Sequence, residues 1–412
     1  MAVSKSVSAV SKSAPFVRPD APERGDVVVL VIAAILYLPL AFLGYGADID
    51  SYVLIETGEE IIDSGRYVPS RTPGFPVHET AVALLDYVGG SVATNLASVA
   101  FALLTLAAFL ALCRRFGVPH RWLLGLTLAF HPFVWVNAGS TMDYLWALGF
   151  GLAGGVALLD RRWIWAGLLF ALAIGTRLTS VLFIAPLFGY VIWRDVLRSE
   201  RPDRRGVVGA GLLTAMLGAA CYLPVVIHFG WTDFLTPMGA EVQATWTPIE
   251  RIGRFVYKSV YLWGLPAALG LAVLIVRAAV KRDVRFTPLL TVAVTVVLLY
   301  GVFFLRYPLE QEYLLPVVPF MLLGLGVVAG RRWLVALLVL VLAYNAVSIN
   351  LARPDRPNLA TRAEIGVWVE PGYLVTDIAQ RLRVYDCRSM PCWLERSDRG
   401  FFPDLFGAEA DE

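Results

Sequence analysis

Long apolar runs recur along this chain, separated by short polar connectors. They cover roughly residues 26–46, 92–113, 122–138, 143–159, 163–176, 179–193, 206–229, 259–277, 286–305, 313–330 and 333–350. A nearly uncharged run of about 20 residues is the length of helix that crosses a bilayer core of about 30 Å. Backbone polar groups inside lipid must be satisfied within the segment, so such runs predict helices. The pattern predicts an all-α polytopic membrane protein, a bundle of about 11 transmembrane or re-entrant helices over residues 26–350. The run from Val27 to Tyr45 is too long for a signal-peptide core and lacks a small-residue cleavage site, so it predicts a retained span. Residues 163–176 and 179–193 are short for two crossings. They predict a hairpin whose tip is Gly175-Thr176-Arg177-Leu178-Thr179-Ser180. Residues 1–25 predict a disordered tail. Residues 351–412 predict a small appendage with one strand-like run, Tyr373 to Asp377, followed by an amphipathic stretch, Ile378 to Tyr385.

Charge gives the bundle an orientation. Only 17% of the 412 residues are charged, against about 25% in soluble domains. Connectors on one side carry 20 Lys and Arg, including Arg114, Arg115, Arg161, Arg162 and the run from Arg194 to Arg205. The other side carries seven: Arg66, Arg71, Arg177, Arg251, Arg254, Lys258 and Arg306. Positive charge concentrates on the cytoplasmic side, so the N-terminus is expected inside and the C-terminal tail outside, in a plasma membrane. Residues 76–90 are apolar enough to pass for a span, but a crossing there would invert every later basic cluster. Residues 47–91 are therefore expected as one long external loop with surface helices at 53–63 and 76–89. The net charge of +2 gives no reason to expect a nucleic-acid partner. Cys387 and Cys392 could bridge if the tail is outside; two cysteines alone do not make a metal site.

The polar residues of the external side are the candidate chemistry. Asp48 and Asp50 stand where the first span ends, in Gly46-Ala47-Asp48-Ile49-Asp50-Ser51. Arg71, Asp143, Arg177, Arg306 and Glu310 lie on the same side, whereas no Asp, Glu, Lys or Arg occupies the interior of an apolar run. Ion-coupled transport calls for ionisable groups at mid-depth; a reaction centre at one face does not. A carboxylate can take the proton of an acceptor hydroxyl attacking a sugar carbon. Arginines at headgroup depth can hold a lipid phosphate and stabilise it as it leaves. No phosphate-cradling glycine motif is present, which points to a lipid-linked donor. Each residue also has a structural reading. Asp50, more than Asp48, could cap a helix starting near Ser51. Arg71 could anchor at headgroups, and Arg177 could snorkel to the interface. Asp143 could cap the fourth span. Arg306 could pair with Glu310 or Glu312. His78 and Glu79 could join Asp48 around a divalent metal, although adjacent residues point apart on a helix.

The order of these features resembles the GT-C membrane glycosyltransferases, near the protein-mannosyltransferase and aminoarabinose-transferase branch. The shared layout is a first span, an Asp-containing start of a long external loop, Ser64-Gly65-Arg66-Tyr67, then Ser70-Arg71-Thr72-Pro73-Gly74-Phe75-Pro76, and later Gly175-Thr176-Arg177. The chain has Asp-Ile-Asp where an Asp-Glu pair is frequent, and Thr-Pro-Gly where some relatives have Pro-Pro. The resemblance covers roughly residues 26–350. It implies a GT-C-like bundle, an inverting transfer from a polyprenyl-phosphate-linked sugar, and Asp48 or Asp50 as catalytic base or metal ligand. It puts Arg71 on the donor phosphate, with Arg177 and Arg306 as further phosphate candidates. Asp143, Tyr52 and Glu310 are candidates for substrate contact. A divalent metal stays open as a cofactor, and the acceptor is a glycan, a lipid or a protein. The competing expectation is a transporter or flippase of lipids or lipid-linked sugars, gripping phosphate with the same arginines.

Overall fold

A computed structural model gives the fold and describes residues 23–234, 236, 246–281, 287–354 and 363–397. The expected disordered tail lies outside the described residues up to residue 22, as does the chain beyond 397. Helix α1 (Arg24–Tyr37) runs into a 3-10 turn, Leu38–Phe42. Helix α2 (Ile49–Ser64) follows and ends at Gly65 in the left-handed conformation. The next helix, α3 (Pro76–Arg115), is two helices joined at Gly89 and Gly90. Gly90 has φ 58° and ψ −152°, a conformation open essentially to glycine alone. The expected surface helices 53–63 and 76–89 are therefore present, the second continuing into a span.

Then come α4 (Arg121–Ala129), α5 (Pro132–Ala138), α6 (Tyr144–Leu159), α7 (Trp163–Thr176), α8 (Val181–Val191) and α9 (Arg204–Phe234). The remaining helices of the bundle are α10 (Pro248–Trp263), α11 (Leu265–Lys281), α12 (Pro288–Arg306), α13 (Val317–Val328) and α14 (Arg331–Ala346). Helix α10 opens on a capping box made by Thr247 and Glu250.

The expected count of about 11 spans is not reproduced by length and composition. Among the described residues five helices are long and apolar enough to cross a membrane, or six if the bent pair α10–α11 is one span. The expected span 122–138 is split at His131-Pro132, because proline has no N–H to continue the ladder. Three apolar helices, α6, α7 and α13, have 16, 14 and 12 residues, short of the ~20 a crossing needs. The expected span 259–277 is broken at Gly264, with a bend of 100° between α10 and α11. The hairpin tip is as expected: α7 ends at Thr176, Arg177 is extended, and a 3-10 turn over Leu178–Ser180 leads into α8.

One end of the bundle is stapled by two buried aspartates, Asp26 and Asp195, and one partly buried, Asp160. Asp26 is held by Arg114 and Arg121, Asp160 by a two-pronged contact from Arg115 at 2.6 and 2.7 Å, and Asp195 by Arg161 and Arg194. Many arginines of the orientation count thus also tie neighbouring helix ends together.

The all-α expectation needs one correction. Strands β1 (Val347–Pro354) and β2 (Ala363–Pro371) form an antiparallel hairpin leading out of α14. The tail is corrected too: Tyr373 to Asp377 begins helix α15 (Tyr373–Arg383), not a strand. Asp377, Arg381 and Val384 lie on one helical face and are buried, so packing at period 3.6 overrides the strand propensity of the run. A last helix, α16 (Met390–Arg396), carries Trp393 into a small core with Tyr45, Tyr52, Ile55, Val82, Val384 and Cys387. Cys387 and Cys392 are bridged, with Cα atoms 5.5 Å apart.

Candidate active site

The polar residues at the other ends of the helices converge. Asp48 is the N-cap of α2, and its Oδ1 accepts the Asp50 N–H at 2.9 Å. The cap role expected of Asp50 therefore belongs to Asp48, because the helix starts at Ile49 rather than Ser51. Asp50, in the first turn, is free to reach Arg71, and the pair closes to 2.6 Å, half-buried. The Arg71 guanidinium lies 5.0 Å from the Phe75 ring centre.

Arg177 approaches the Phe75 ring as well. Its guanidinium is 5.6 Å from the same ring, 4.1 Å from Tyr144 and 5.0 Å from Tyr313. It pairs with Asp143 at 2.6 Å, both side chains buried. The extended backbone at Arg177 interrupts the α7–α8 hairpin and turns this side chain inward. Tyr144 donates to Glu310 at 2.9 Å. Next to it, Glu312 accepts from Tyr373 at 2.9 Å and from Gln311 at 3.0 Å, and Lys258 reaches Gln311 at 3.4 Å. One connected site thus gathers Asp48, Asp50, Arg71, Asp143, Arg177 and Glu310.

Two candidates stand apart. Tyr52 is fully buried, and its hydroxyl donates to Gly46 O and Val384 O, so it ties the tail to the first loop. Arg306 is exposed and lies over the Tyr307 ring at 4.8 Å. The expected partners of Arg306 are engaged elsewhere, Glu310 with Tyr144 and Glu312 with Tyr373. Four contributors carried no signal of their own: Phe75, Tyr144, Tyr313 and Tyr373 look like any aromatic at an interface. His78 is buried edge-on to Trp146, and Glu79 faces the loop of Arg71. Among the described residues no three His, Cys, Asp or Glu side chains are arranged to hold a metal.

Crowded carboxylates dominate the electrostatics. Asp48 keeps an accessible side-chain surface while the protein crowds around it. Burial there, then Asp50, then Glu310, raise its pKa well above the ordinary carboxylate value. Burial, Asp50 and Glu312 push Glu310 up to about 7. Burial alone would weaken the hold of Arg71 on its proton, but Asp50, Glu310 and Asp143 outweigh it and keep the guanidinium charged. The arrangement offers a proton acceptor beside two fixed cations that share an aromatic ring.

The chain superposes on the crystal structure of ArnT from Cupriavidus metallidurans bound to undecaprenyl phosphate. The TM-score is 0.53 at 18% identity, over 73% of this chain and 59% of that one. The chain has the fold of ArnT. The apo state of ArnT gives 0.52 at 17% over the same shares. The arabinosyltransferase EmbB from Mycobacterium smegmatis gives 0.46 at 15%, over 94% of this chain and 39% of that one. No family model and no curated protein matches the sequence. The chain spans about three fifths of the ArnT chain, 59%.

Proposed function

We propose that this chain is an inverting membrane glycosyltransferase, moving a sugar from a polyprenyl-phosphate-linked donor to an acceptor on the extracytoplasmic face. The observation that carries the proposal is the juxtaposition of Asp48 and Asp50 with Arg71 and Arg177 around Phe75, in the fold of ArnT, which was crystallised with undecaprenyl phosphate. The cap occupies Asp48 Oδ1, and a carboxylate has a second oxygen for a proton. In the proposed step the acceptor hydroxyl gives its proton to Asp48 and its oxygen bonds to the anomeric carbon. The bond from that carbon to the phosphate oxygen breaks, and its electron pair leaves with the polyprenyl phosphate. Arg71 and Arg177 are set to stabilise that charge as it develops. An apolar groove of about 460 Å³ opens beside the Arg71 loop, walled by Tyr67, Val77, Leu84, Cys221 and Pro224, and suits a prenyl tail. The extracytoplasmic assignment rests on the asymmetry of arginines and on the Cys387–Cys392 bridge, which fits an oxidising compartment.

The test is transfer from labelled polyprenyl-phosphate sugars by membranes containing the protein. Undiminished transfer by the Asp48→Ala, Asp50→Ala double variant would overturn the base assignment. Lipid translocation in liposomes with no new glycoconjugate would favour a transporter instead.

A further inference from the structure

One buried carboxylate beside the site is used by neither aspartate nor either arginine. Glu79 lies in the first turn of α3 and is 1% exposed. It accepts from the backbone N–H of Ser70 at 2.8 Å, from the N–H of Phe75 at 2.9 Å, and from the hydroxyls of Ser70 and Tyr67. All four donors belong to the loop 67–75, and that loop carries Arg71. Its last residue, Phe75, is the ring that both guanidiniums approach. Its first, Tyr67, walls the apolar groove. A helix cap needs one or two donors. Here every donor comes from the stretch that must hold a phosphate-binding cation at a fixed distance from the groove. The helix N-terminus favours the carboxylate's charge, and Phe75 O accepts the Glu79 N–H at 2.8 Å, so the clamp is closed in both directions.

We propose that Glu79 is a positioning residue for phosphate recognition: it holds Arg71 and Phe75 in register with the groove that Tyr67 lines. This rests on the glycosyltransferase reading for the identity of the phosphate. The side chain touches no reacting atom, so its loss acts through Arg71. Glutamine at 79 keeps the shape, but it loses the charge and replaces one acceptor by a donor.

The experiment uses the full chain in lipid nanodiscs, with undecaprenyl phosphate as probe and the phosphate-free prenol as control. Glu79→Gln is expected to weaken undecaprenyl phosphate binding by about tenfold or more, the scale of lost hydrogen bonds to a charged group. Prenol binding should change little. In turnover, KM for the lipid-linked donor should rise by a larger factor than kcat falls. Tyr67→Phe and Ser70→Ala each remove one hydroxyl donor and should give smaller losses in the same direction, so the result stands even if Glu79→Gln folds poorly. Wild-type affinity in all three variants would overturn the proposal, as would loss of phosphate and prenol binding by equal factors. Failure of the wild-type protein itself to bind undecaprenyl phosphate would remove the glycosyltransferase reading and this one together.

Discussion

Arg71 and Arg177 face the same difficulty, a guanidinium drawn out of bulk water, and each meets it with one carboxylate and an aromatic face. Such pairs are weak contributors to net stability, but breaking one strands its partner. Among the described residues Asp48 and Glu310 have no ion-pair partner, and Glu310 shows the consequence. In the unfolded chain its carboxyl titrates near the ordinary glutamate value of 4.5, whereas burial and its acidic neighbours push it up to about 7 in the fold. Between those values the folded state binds more protons than the unfolded one. Stability from this group is therefore complete below the unfolded value and is lost as pH rises through the folded one. Wild-type protein should lose stability relative to Glu310→Gln between about pH 5 and about pH 8, by less than about 1.4 kcal/mol per pH unit because the group is partly exposed. Melting midpoints of the two proteins in detergent across that range check it. Parallel curves would show that Glu310 titrates normally.

At the scale of elements, the break in α3 decides where Arg71 and Glu79 sit. The helix must leave its axis at Gly90, between a half that carries Glu79 and a half that spans. A Cβ at Gly90 would meet only Tyr45 Oη, at 3.9 Å, so a substitution there tests backbone strain alone. Gly90→Ala should cost about 1–3 kcal/mol, read as a lowered melting midpoint. Gly189→Ala, in open space within α8, should be neutral or slightly stabilising. Much of this level was legible beforehand. Hydrophobic runs and proline positions located the helices of the first loop, the hairpin tip and the membrane bundle. Boundaries set by a single break were not legible, such as the turn at Gly264 or the start of α2 at Ile49, which moved the cap from Asp50 to Asp48. The neighbourhood of the candidate site was legible as a set of residues on one side but not as pairs. Asp143 meets Arg177 across 34 positions and Tyr144 meets Glu310 across 166. Such partnerships follow from how helix ends assemble, which no local pattern records. Tyr52 and Arg306 lie apart from the cluster for the same reason: sidedness says which residues are near, not which way they face.

The whole molecule adds a constraint from the far end of the chain. Arg381 is fully buried in the tail and paired with Asp377. It also donates to the carbonyls of Val136 and Gly139 and to Ser140 Oγ. Those residues close α5 and begin the turn that delivers Asp143. Nearby, Tyr373 holds Glu312, and the Trp393 indole donates to Ala47 O at 3.0 Å, one residue before Asp48. The tail therefore braces three of the segments that build the site. Arg381→Leu would leave Asp377 buried without its cation and three oxygens without their donor, a loss of about 3–5 kcal/mol by the usual cost of breaking a buried pair. Lysine keeps the charge but lacks the planar fork that reaches the oxygens together, so Arg381→Lys should fall between leucine and wild type. The expected signature is faster proteolysis within residues 373–397 together with reduced transfer activity, in the order wild type, lysine, leucine. Faster cleavage with full activity would make the tail a stabilising cover that leaves the Asp143–Arg177 pair unaffected. Loss of both in proportion would tie the geometry of the reaction centre to a segment more than 200 residues away in sequence from Asp143.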